Sequence, residues 1–122
     1  MLLGLTRAGV EAAPLRHVRQ AAQKFGAVVL LKGARTLVAE PSGRVRVNAT
    51  GTPWLATAGA GDVLTGLIAA LLAAGLCAFD AASVGAWLHG RAAVRALEGG
   101  PFVASDVAHQ VRGIAHALAL QV

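Results

Sequence analysis

The short segment Gly59–Asp62, which reads Gly-Ala-Gly-Asp, limits the possible folds of this chain more than any other part of the sequence. Its glycines allow the backbone to turn tightly and to approach a ligand closely. An uncharged run, Val63–Phe79, follows at once. A helix that opens here leaves its first N–H groups unpaired and directs the positive end of its dipole to the same point. The sequence therefore predicts a backbone-built anion site at Gly59 and Gly61.

Asp62 is the acidic side chain of this segment, and we predict that it acts in catalysis. A carboxylate beside a phosphate site can accept the proton of a hydroxyl that attacks a phosphoryl group. A plain turn followed by an aspartate that caps the helix would produce the same pattern. The spacing alone leaves both interpretations open, so a second element is needed.

A second loop with ligand-binding character follows a short apolar run, Ala27–Leu31. That run is typical of a strand buried on both faces in a parallel sheet. An amphipathic helix that opens at Pro14 and stops at Gly26 precedes it. Open α/β sheets bind their ligands at the carboxyl ends of strands. We therefore expect a ligand at the residues that follow this strand, which are Lys32, Gly33, Ala34, Arg35 and Thr36.

The two loops together favour a nucleotide as the ligand. One supplies cationic side chains and backbone N–H groups, and the other supplies an anion hole and an acid. This combination suits a nucleoside diphosphate or triphosphate better than a sugar or a peptide. The phosphate-binding sequence Gly-x4-Gly-Lys-Ser/Thr does not occur in the chain, so the site is not of that type.

The rest of the chain is predicted to form a hairpin and then helices, which makes the fold class α/β. The hairpin turns at Pro41–Gly43, and the alternation in its second arm predicts one solvated face. Apolar residues at helical spacing predict the helices. The expected elements are strands Leu37–Glu40 and Arg44–Asn48, a helix at about Asp62–Ala74, a helix capped by Asp80 that runs to about Leu97, and a last helix capped by Ser105.

Composition narrows the class of protein and of partner. The chain has 122 residues, enough for one domain at most, and 56% of them are hydrophobic. The net charge of +5 fits anionic ligands. The arginines are scattered, without interleaved aromatics, so no nucleic-acid partner is expected. The single Cys77 excludes an intrachain disulfide, and no Cys/His spacing suits a zinc site. Because a chain without disulfides suits a reducing compartment, we expect a cytoplasmic location by default. We expect Cys77 to be buried.

Several other features have ordinary interpretations. Val63–Phe79 approaches membrane-spanning length, but two glycines interrupt it, so a buried core helix is expected and no membrane association. We expect His89 to be a hydrogen-bonded core residue, and His109 and His116 to lie on the surface. Trp54, inside the central loop, is expected in the core or at an interface.

Five stretches of the chain, in order and spacing, resemble the NAD(P)H-hydrate dehydratases, the C-terminal domains of the YjeF type within the ribokinase-like superfamily. The Gly-Ala-Gly-Asp segment alone matches the superfamily, whereas the full series matches the dehydratase branch. The resemblance implies a three-layer α/β/α fold, of which residues 1–122 are a single C-terminal part with an incomplete sheet. The stretches are Val28–Thr36, Asn48–Gly51, Leu55–Gly66, Leu88–Gly90 and Ala104–Asp106.

The resemblance also implies a chemistry. In the family, ADP, or ATP in eukaryotic members, phosphorylates the hydroxyl of the hydrated nicotinamide ring, and loss of phosphate restores NADH or NADPH. By motif, Asp62 would take the proton of that hydroxyl, Gly61 would lie at the phosphates, and Lys32–Thr36 would contact the nucleotide. Mg²⁺ would screen the phosphates. The residues that would shape the nucleotide pocket are Asn48, Thr50 and Gly51.

Length is the main departure from the family. Family domains are more than twice as long, and their N-terminal half carries a Thr-Pro-His-x-Gly-Glu segment that contacts the hydrated cofactor and has no match here. We therefore expect Met1 to be the start of a truncated reading frame or of an expressed piece. An apolar face left uncovered would favour a homo-oligomer. Thr52 and Ala60 stand where many members have Asn and Thr, which are small changes.

Two alternatives stay open beside the dehydratase. One is a small-molecule kinase of the same superfamily, acting on a thiazole, a pyrimidine or a sugar-like substrate. The Lys32–Thr36 loop and the Leu55–Ala58 lead-in count against it. The other is a truncated, inactive piece that binds nucleotide weakly or serves as an assembly surface. A measurement of turnover separates this last alternative from both enzymes.

Overall fold

The computed structural model describes residues 4–121, which fall into two compact units, Met1–Asn48 and Ala49–Val122. From Pro14 onward the long elements come in the predicted order: a helix and a strand, a hairpin, and then three long helices. The helix Arg7–Ala12 and the 3₁₀ helix Pro53–Leu55 were not predicted. That residues 1–122 belong to one domain remains a prediction. The first unit contains α1 (Arg7–Ala12), α2 (Pro14–Phe25), β1 (Val29–Leu31), β2 (Thr36–Ala39) and β3 (Val45–Asn48), and the second contains a 3₁₀ helix (Pro53–Leu55), α3 (Ala60–Ala73), α4 (Ala78–Leu97) and α5 (Ala104–Ala119).

Helix α2 has the bounds that its sequence predicts. Pro14 stands at its first position, where the missing N–H is not needed and the fixed φ suits the helix. Gly26 caps the other end, and its N–H donates to the carbonyls of Ala22 and Gln23. One face of the helix is apolar, and Val18 and Ala22 on that face are buried.

The sheet of the first unit is antiparallel throughout, with the strand order β1-β2-β3. The predicted parallel strand, buried on both faces, is therefore wrong: β1 pairs antiparallel with β2, with Leu31 opposite Leu37, and its residues are only half-buried. A parallel pair needs a long crossover, and residues 32–35 are too short a connection for one. The apolar run also starts later as a strand, at Val29 and not at Ala27.

The predicted hairpin is confirmed, and polar contacts fix its turn. The Gly43 N–H donates to the Glu40 carbonyl at 2.9 Å. Two nitrogens of the Arg44 guanidinium donate to the two Glu40 carboxylate oxygens, at 2.7 and 3.1 Å, and Ser42 Oγ donates to the same carboxylate at 2.8 Å. These hydrogen bonds, from Arg44 first and Ser42 second, lower the pKa of Glu40 below its ordinary value. The turn is thus stabilised by charge as well as by backbone geometry.

The core of the first unit lies between one face of the sheet and α2. Leu37 and Ala39 of β2 pack with Val18 and Ala22 of α2. The solvated face predicted for the second arm of the hairpin is present, because Arg44 and Arg46 are exposed. Val47 shares the apolar face with Leu37 and is nevertheless 56% exposed. Strand β3 is the last strand of the order β1-β2-β3, so Val47 lies at the margin of the packed face.

The second unit is built from small residues at helix contacts. A Cβ at Gly85 of α4 would lie 2.7 Å from Ile68 Cγ1 of α3, so the missing side chain lets the two helices approach. Helix α3 begins at Ala60, two residues before the predicted start at Asp62. A cluster of buried residues then joins α4 to α5; its members are Ala92, Ala93, Ala96, Phe102 and Val107.

Both predicted helix caps are wrong by a few residues. Helix α4 is preceded by Cys77 as N-cap, and Asp80 lies inside its first turn. Helix α5 is preceded by Val103, and Ser105 lies inside its first turn. There the carboxylate of Asp106 accepts the Val103 N–H at 2.9 Å, so an acid at the third helical position satisfies the cap from within.

The predictions for isolated residues have mixed outcomes. His89 is buried, as predicted, and His109 and His116 are exposed, as predicted. The prediction for Cys77 is wrong, because as the residue before α4 it lies outside the core and is exposed. Trp54 is also exposed. Among residues 4–121, no helix combines the length and the apolar character needed to cross a membrane.

Leu37 and Val47 provide a matched test of the first core because they face each other across β2 and β3. We expect Leu37→Ala to lower the free energy of unfolding by about 2–5 kcal/mol, since it removes buried surface and leaves a cavity. Val47→Ala should change it by no more than about 0.5 kcal/mol, because the Val47 side chain already contacts water. Urea denaturation measures both values, and equal losses would contradict this core.

Candidate functional site

The N-terminal end of α3 presents backbone N–H groups that the helix itself does not use. Gly59 precedes the helix with φ 84°, a left-handed conformation that favours glycine. The first intrahelical bond runs from the Val63 N–H to the Gly59 carbonyl at 3.1 Å. The N–H groups of Gly61 and Asp62 precede that bond, and in the described part of the chain no side chain caps this end. Two donors and the positive helix end therefore face the same point.

The space over Gly61 is open. A Cβ placed there would meet no heavy atom of the described residues within 4 Å, although Gly61 lies in the first turn of a packed helix. Gly59 differs, since a Cβ there would lie 3.3 Å from the Cβ of Ala104 at the start of α5. Gly59 thus serves the packing of α3 near α5, and Gly61 leaves room for a ligand to reach the N–H groups.

Asp62 lies in the first turn of α3 and its side chain is exposed. It is therefore on the same open helix end as the N–H groups of Gly61 and Asp62. One turn later, Thr65 Oγ1 donates to the Gly61 carbonyl at 2.8 Å, which holds the backbone of this turn. An exposed carboxylate beside an anion-binding helix end can accept a proton from a hydroxyl that approaches the bound anion.

The loop that leads into this helix is held by specific contacts. Thr50 Oγ1 donates to the Trp87 carbonyl of α4 at 3.2 Å. Thr52 Oγ1 accepts the N–H of Trp54 at 3.3 Å at the start of the 3₁₀ helix. Leu55 then packs against the core cluster of α4 and α5. The loop is thus fixed at three points between Thr50 and Leu55.

The predicted loop after β1 lies in the first unit. Lys32, Gly33, Ala34 and Arg35 are all exposed, so their charges and N–H groups are accessible. A Cβ at Gly33 would lie 3.3 Å from the Arg35 carbonyl oxygen, which shows how tight this turn is. Thr36 begins β2 and stands opposite Asn48 of β3, so the structure brings these two predicted site residues together.

The predicted site residues therefore belong to both units. The first unit holds Lys32–Thr36 and Asn48, and the second holds Thr50 and Gly51 with the helix end of Gly59–Asp62. That all of them contact one nucleotide remains a prediction. Within the second unit, the sequence analysis missed the part that α4 plays. Gly90 and the Trp87 carbonyl contact Thr50, and the Leu88–Gly90 stretch was the available signal.

The chain is thus an α/β protein in which the N-terminus of α3 offers open backbone N–H donors with an acid beside them. The family model described as NAD(P)H-hydrate dehydratase matches residues 2–111. The chain therefore belongs to the NAD(P)H-hydrate dehydratase family, as the resemblance implied.

Relatives agree with this assignment. The ADP-dependent (S)-NAD(P)H-hydrate dehydratase of Neisseria meningitidis is 54% identical over 75% of this chain, which is 31% of the relative. The bifunctional NAD(P)H-hydrate repair enzyme of Moorella thermoacetica is 52% identical over 75% of this chain and 17% of the relative. The chain thus spans less than a third of the length of these two relatives.

A solved structure shows the same fold. The ADP/ATP-dependent NAD(P)H-hydrate dehydratase of Bacillus subtilis, co-crystallised with ATP and Mg²⁺ and soaked with CoA, has a TM-score of 0.87 and 25% identity. The match covers 93% of this chain and 43% of that one. The predicted fold class is confirmed: a three-stranded sheet followed by helices, equivalent to part of a ribokinase-like dehydratase.

Gly59 and Gly61 should respond differently to alanine. Gly59→Ala is expected to lower the free energy of unfolding by about 1–3 kcal/mol, because alanine is strained at positive φ. Gly61→Ala should leave stability unchanged or raise it by up to about 1 kcal/mol, yet weaken ADP binding about tenfold or more, since its methyl fills the open space over the N–H groups. Denaturation and calorimetry measure the two effects. Unchanged ADP affinity in Gly61→Ala would count against a phosphate at this helix end.

Proposed function

We propose that this chain forms the nucleotide-binding side of an ADP-dependent NAD(P)H-hydrate dehydratase, which repairs hydrated NADH and NADPH. The observation that carries the proposal is the open end of α3, where the N–H groups of Gly61 and Asp62 and the Asp62 carboxylate lie on one exposed turn. Membership of the NAD(P)H-hydrate dehydratase family supports it. The relatives named as ADP-dependent dehydratases point to the same donor nucleotide.

Phosphoryl transfer to the ring hydroxyl requires little covalent chemistry from the protein. The N–H groups of Gly61 and Asp62 donate to oxygens of the transferred phosphoryl group and stabilise the charge that it carries. The Asp62 carboxylate accepts the proton as the ring hydroxyl oxygen forms its bond to phosphorus and the bond to the nucleotide breaks. Loss of the phosphate from the ring then restores NADH or NADPH. Positioning and electrostatics, both supplied by one turn of helix, thus account for the phosphoryl step.

The rest of the nucleotide is assigned to the loops. Lys32 and Arg35 are exposed cations, and the N–H groups of Gly33 and Ala34 accompany them in a tight turn. Thr36 and Asn48 stand opposite each other at one end of the hairpin and present polar side chains there. In the second unit, Thr50 and Gly51 lie in the loop that α4 fixes. We assign these residues to the nucleotide pocket.

Mg²⁺ belongs to the same proposal. The donors on the end of α3 are backbone N–H groups, which fit phosphate oxygens and not a cation. The oxygens of the phosphates themselves are ligands of the kind that Mg²⁺ prefers. When bound, the ion would neutralise phosphate charge during transfer. The Bacillus subtilis neighbour was co-crystallised with ATP and Mg²⁺, which supports this pairing.

We further propose a cytoplasmic location and a homo-oligomeric assembly. Exposed Cys77, the lone cysteine, suits a reducing compartment, where thiols persist without pairing. Large apolar side chains remain exposed on α3 and α4, including Leu72 and Val84, which favours association. Hydrated NADH or NADPH and an adenine nucleotide are the small-molecule partners.

One alternative keeps specific support, namely a piece that binds nucleotide without turnover. It is favoured by length, since the chain spans less than half of the relatives and of the solved structure reported above. Calorimetry with ADP and Mg²⁺, followed by an assay of NADH recovery from hydrated NADH, separates the two. Binding with turnover supports the dehydratase, and binding without turnover supports the alternative. No binding contradicts both.

Asp62→Asn tests the proposed proton acceptor. The amide cannot accept the hydroxyl proton, so we expect turnover to fall about 10²–10⁴-fold. ADP affinity should be kept or slightly raised, because a negative charge near the phosphates is removed. Glu98→Gln, which removes an exposed acid at the end of α4, is the matched control and should change neither value. Normal turnover in Asp62→Asn, or loss of ADP binding, would overturn the role assigned to this carboxylate.

A further inference from the structure

Gly90, in the middle of α4, forms a notch that receives the backbone of Thr50. Gly90 is buried, and a Cβ placed on it would lie 2.6 Å from the Thr50 carbonyl carbon and 2.7 Å from its oxygen. Thr50 Oγ1 would also overlap with it. Real Cβ atoms essentially never come within 3.0 Å of such atoms. Any side chain at this position must therefore displace the loop.

The same turn of α4 holds the loop by a hydrogen bond. Thr50 Oγ1 donates to the carbonyl of Trp87, which precedes Gly90 by three residues on the same helix face. Gly51 follows at φ 121°, and a Cβ on it would lie 3.7 Å from the Gly90 Cα and 3.2 Å from Leu55 Cδ1. The backbone of Thr50 and Gly51 is thus seated between one turn of α4 and Leu55.

A comparison with Gly85 shows that the Gly90 contact is of a different kind. Both glycines are buried in α4, where glycine costs about 0.5–1 kcal/mol relative to alanine. At Gly85 the near atoms all belong to α3: Ile68 Cγ1 at 2.7 Å, Leu71 Cδ1 at 3.6 Å and Ile68 Cα at 3.7 Å. At Gly90 the neighbours include the backbone of Thr50, which moves only if the whole loop moves. Gly90 therefore sets the position of the loop, whereas Gly85 sets helix packing.

We propose that Gly90 is a positioning residue that fixes Thr50 and Gly51 for nucleotide binding. The inference rests on the proposed function, which assigns these two residues to the nucleotide pocket. Gly90 itself contacts no substrate in this proposal; it acts through the loop. Displacement of the loop should weaken nucleotide binding and leave the proton transfer at Asp62 unchanged, because that carboxylate is on α3.

Gly90→Ala tests the inference, with Gly85→Ala as the matched control on the same helix. We expect amide hydrogen exchange of residues 49–55 to become at least about tenfold faster in Gly90→Ala, because the displaced loop opens locally. ADP should bind about tenfold more weakly by calorimetry with Mg²⁺, and any turnover should show a raised KM with kcat kept. Gly85→Ala should lose stability without either loop effect.

Amide hydrogen exchange decides the inference without a measurement of enzyme activity. Normal exchange of residues 49–55 in folded Gly90→Ala, or equal acceleration in both variants, overturns it. If Gly90→Ala does not fold, Thr50→Val serves instead, since it removes the hydrogen bond to Trp87 and should also speed exchange of the loop selectively. Absence of ADP binding by the unsubstituted chain counts against the proposed function, while the exchange data still test the positioning role of Gly90.

Discussion

The N–H groups of Gly61 and Asp62 have no carbonyl partner within α3, and this property of a helix end underlies the whole candidate site. The helix axis sets the direction of these N–H groups, so the contacts that hold α3 in place also orient the donors. Its packing on α4, through Gly85 and Ile68, holds the middle of the helix. The contact of Gly59 with Ala104 holds its beginning. The site is thus a product of helix packing.

In the second unit, the candidate site depends on several points at which backbone or methyl groups approach each other closely. Alanines in the C-terminal half of α4 and Val107 of α5 form a tight core. The missing side chain of Gly90 lets Thr50 lie on the surface of α4, and that of Gly59 lets Ala104 lie next to the start of α3. Each of these glycines removes a side chain at a point where another backbone or methyl group needs the space. Packing and a few hydrogen bonds, such as that of Thr50 to Trp87, fix the loop and the helix end, while the N–H groups of Gly61 and Asp62 stay available.

Local signals made parts of this structure predictable. Pro14 and Gly26 bound α2 correctly, the Pro41–Gly43 turn located the hairpin, and the Gly-Ala-Gly-Asp segment located the helix end. The antiparallel direction of β1 was not predictable, since an apolar run does not show which strand it pairs with. Asp80 was misjudged as a cap because an acid is also favourable inside the first turn. Gly90 belongs to the Leu88–Gly90 stretch that resembles the family, but its contact with Thr50 was not predictable, because it joins residues far apart in the chain.

In the proposed function, binding and chemistry depend on different parts of this helix end. The proposed phosphate donors are backbone groups, so they survive any substitution that preserves the fold and keeps the space over Gly61 open. The proposed proton acceptor is one side chain, Asp62, which is exposed. The two proposed roles therefore place separate demands on the sequence, and both fall on one turn of α3.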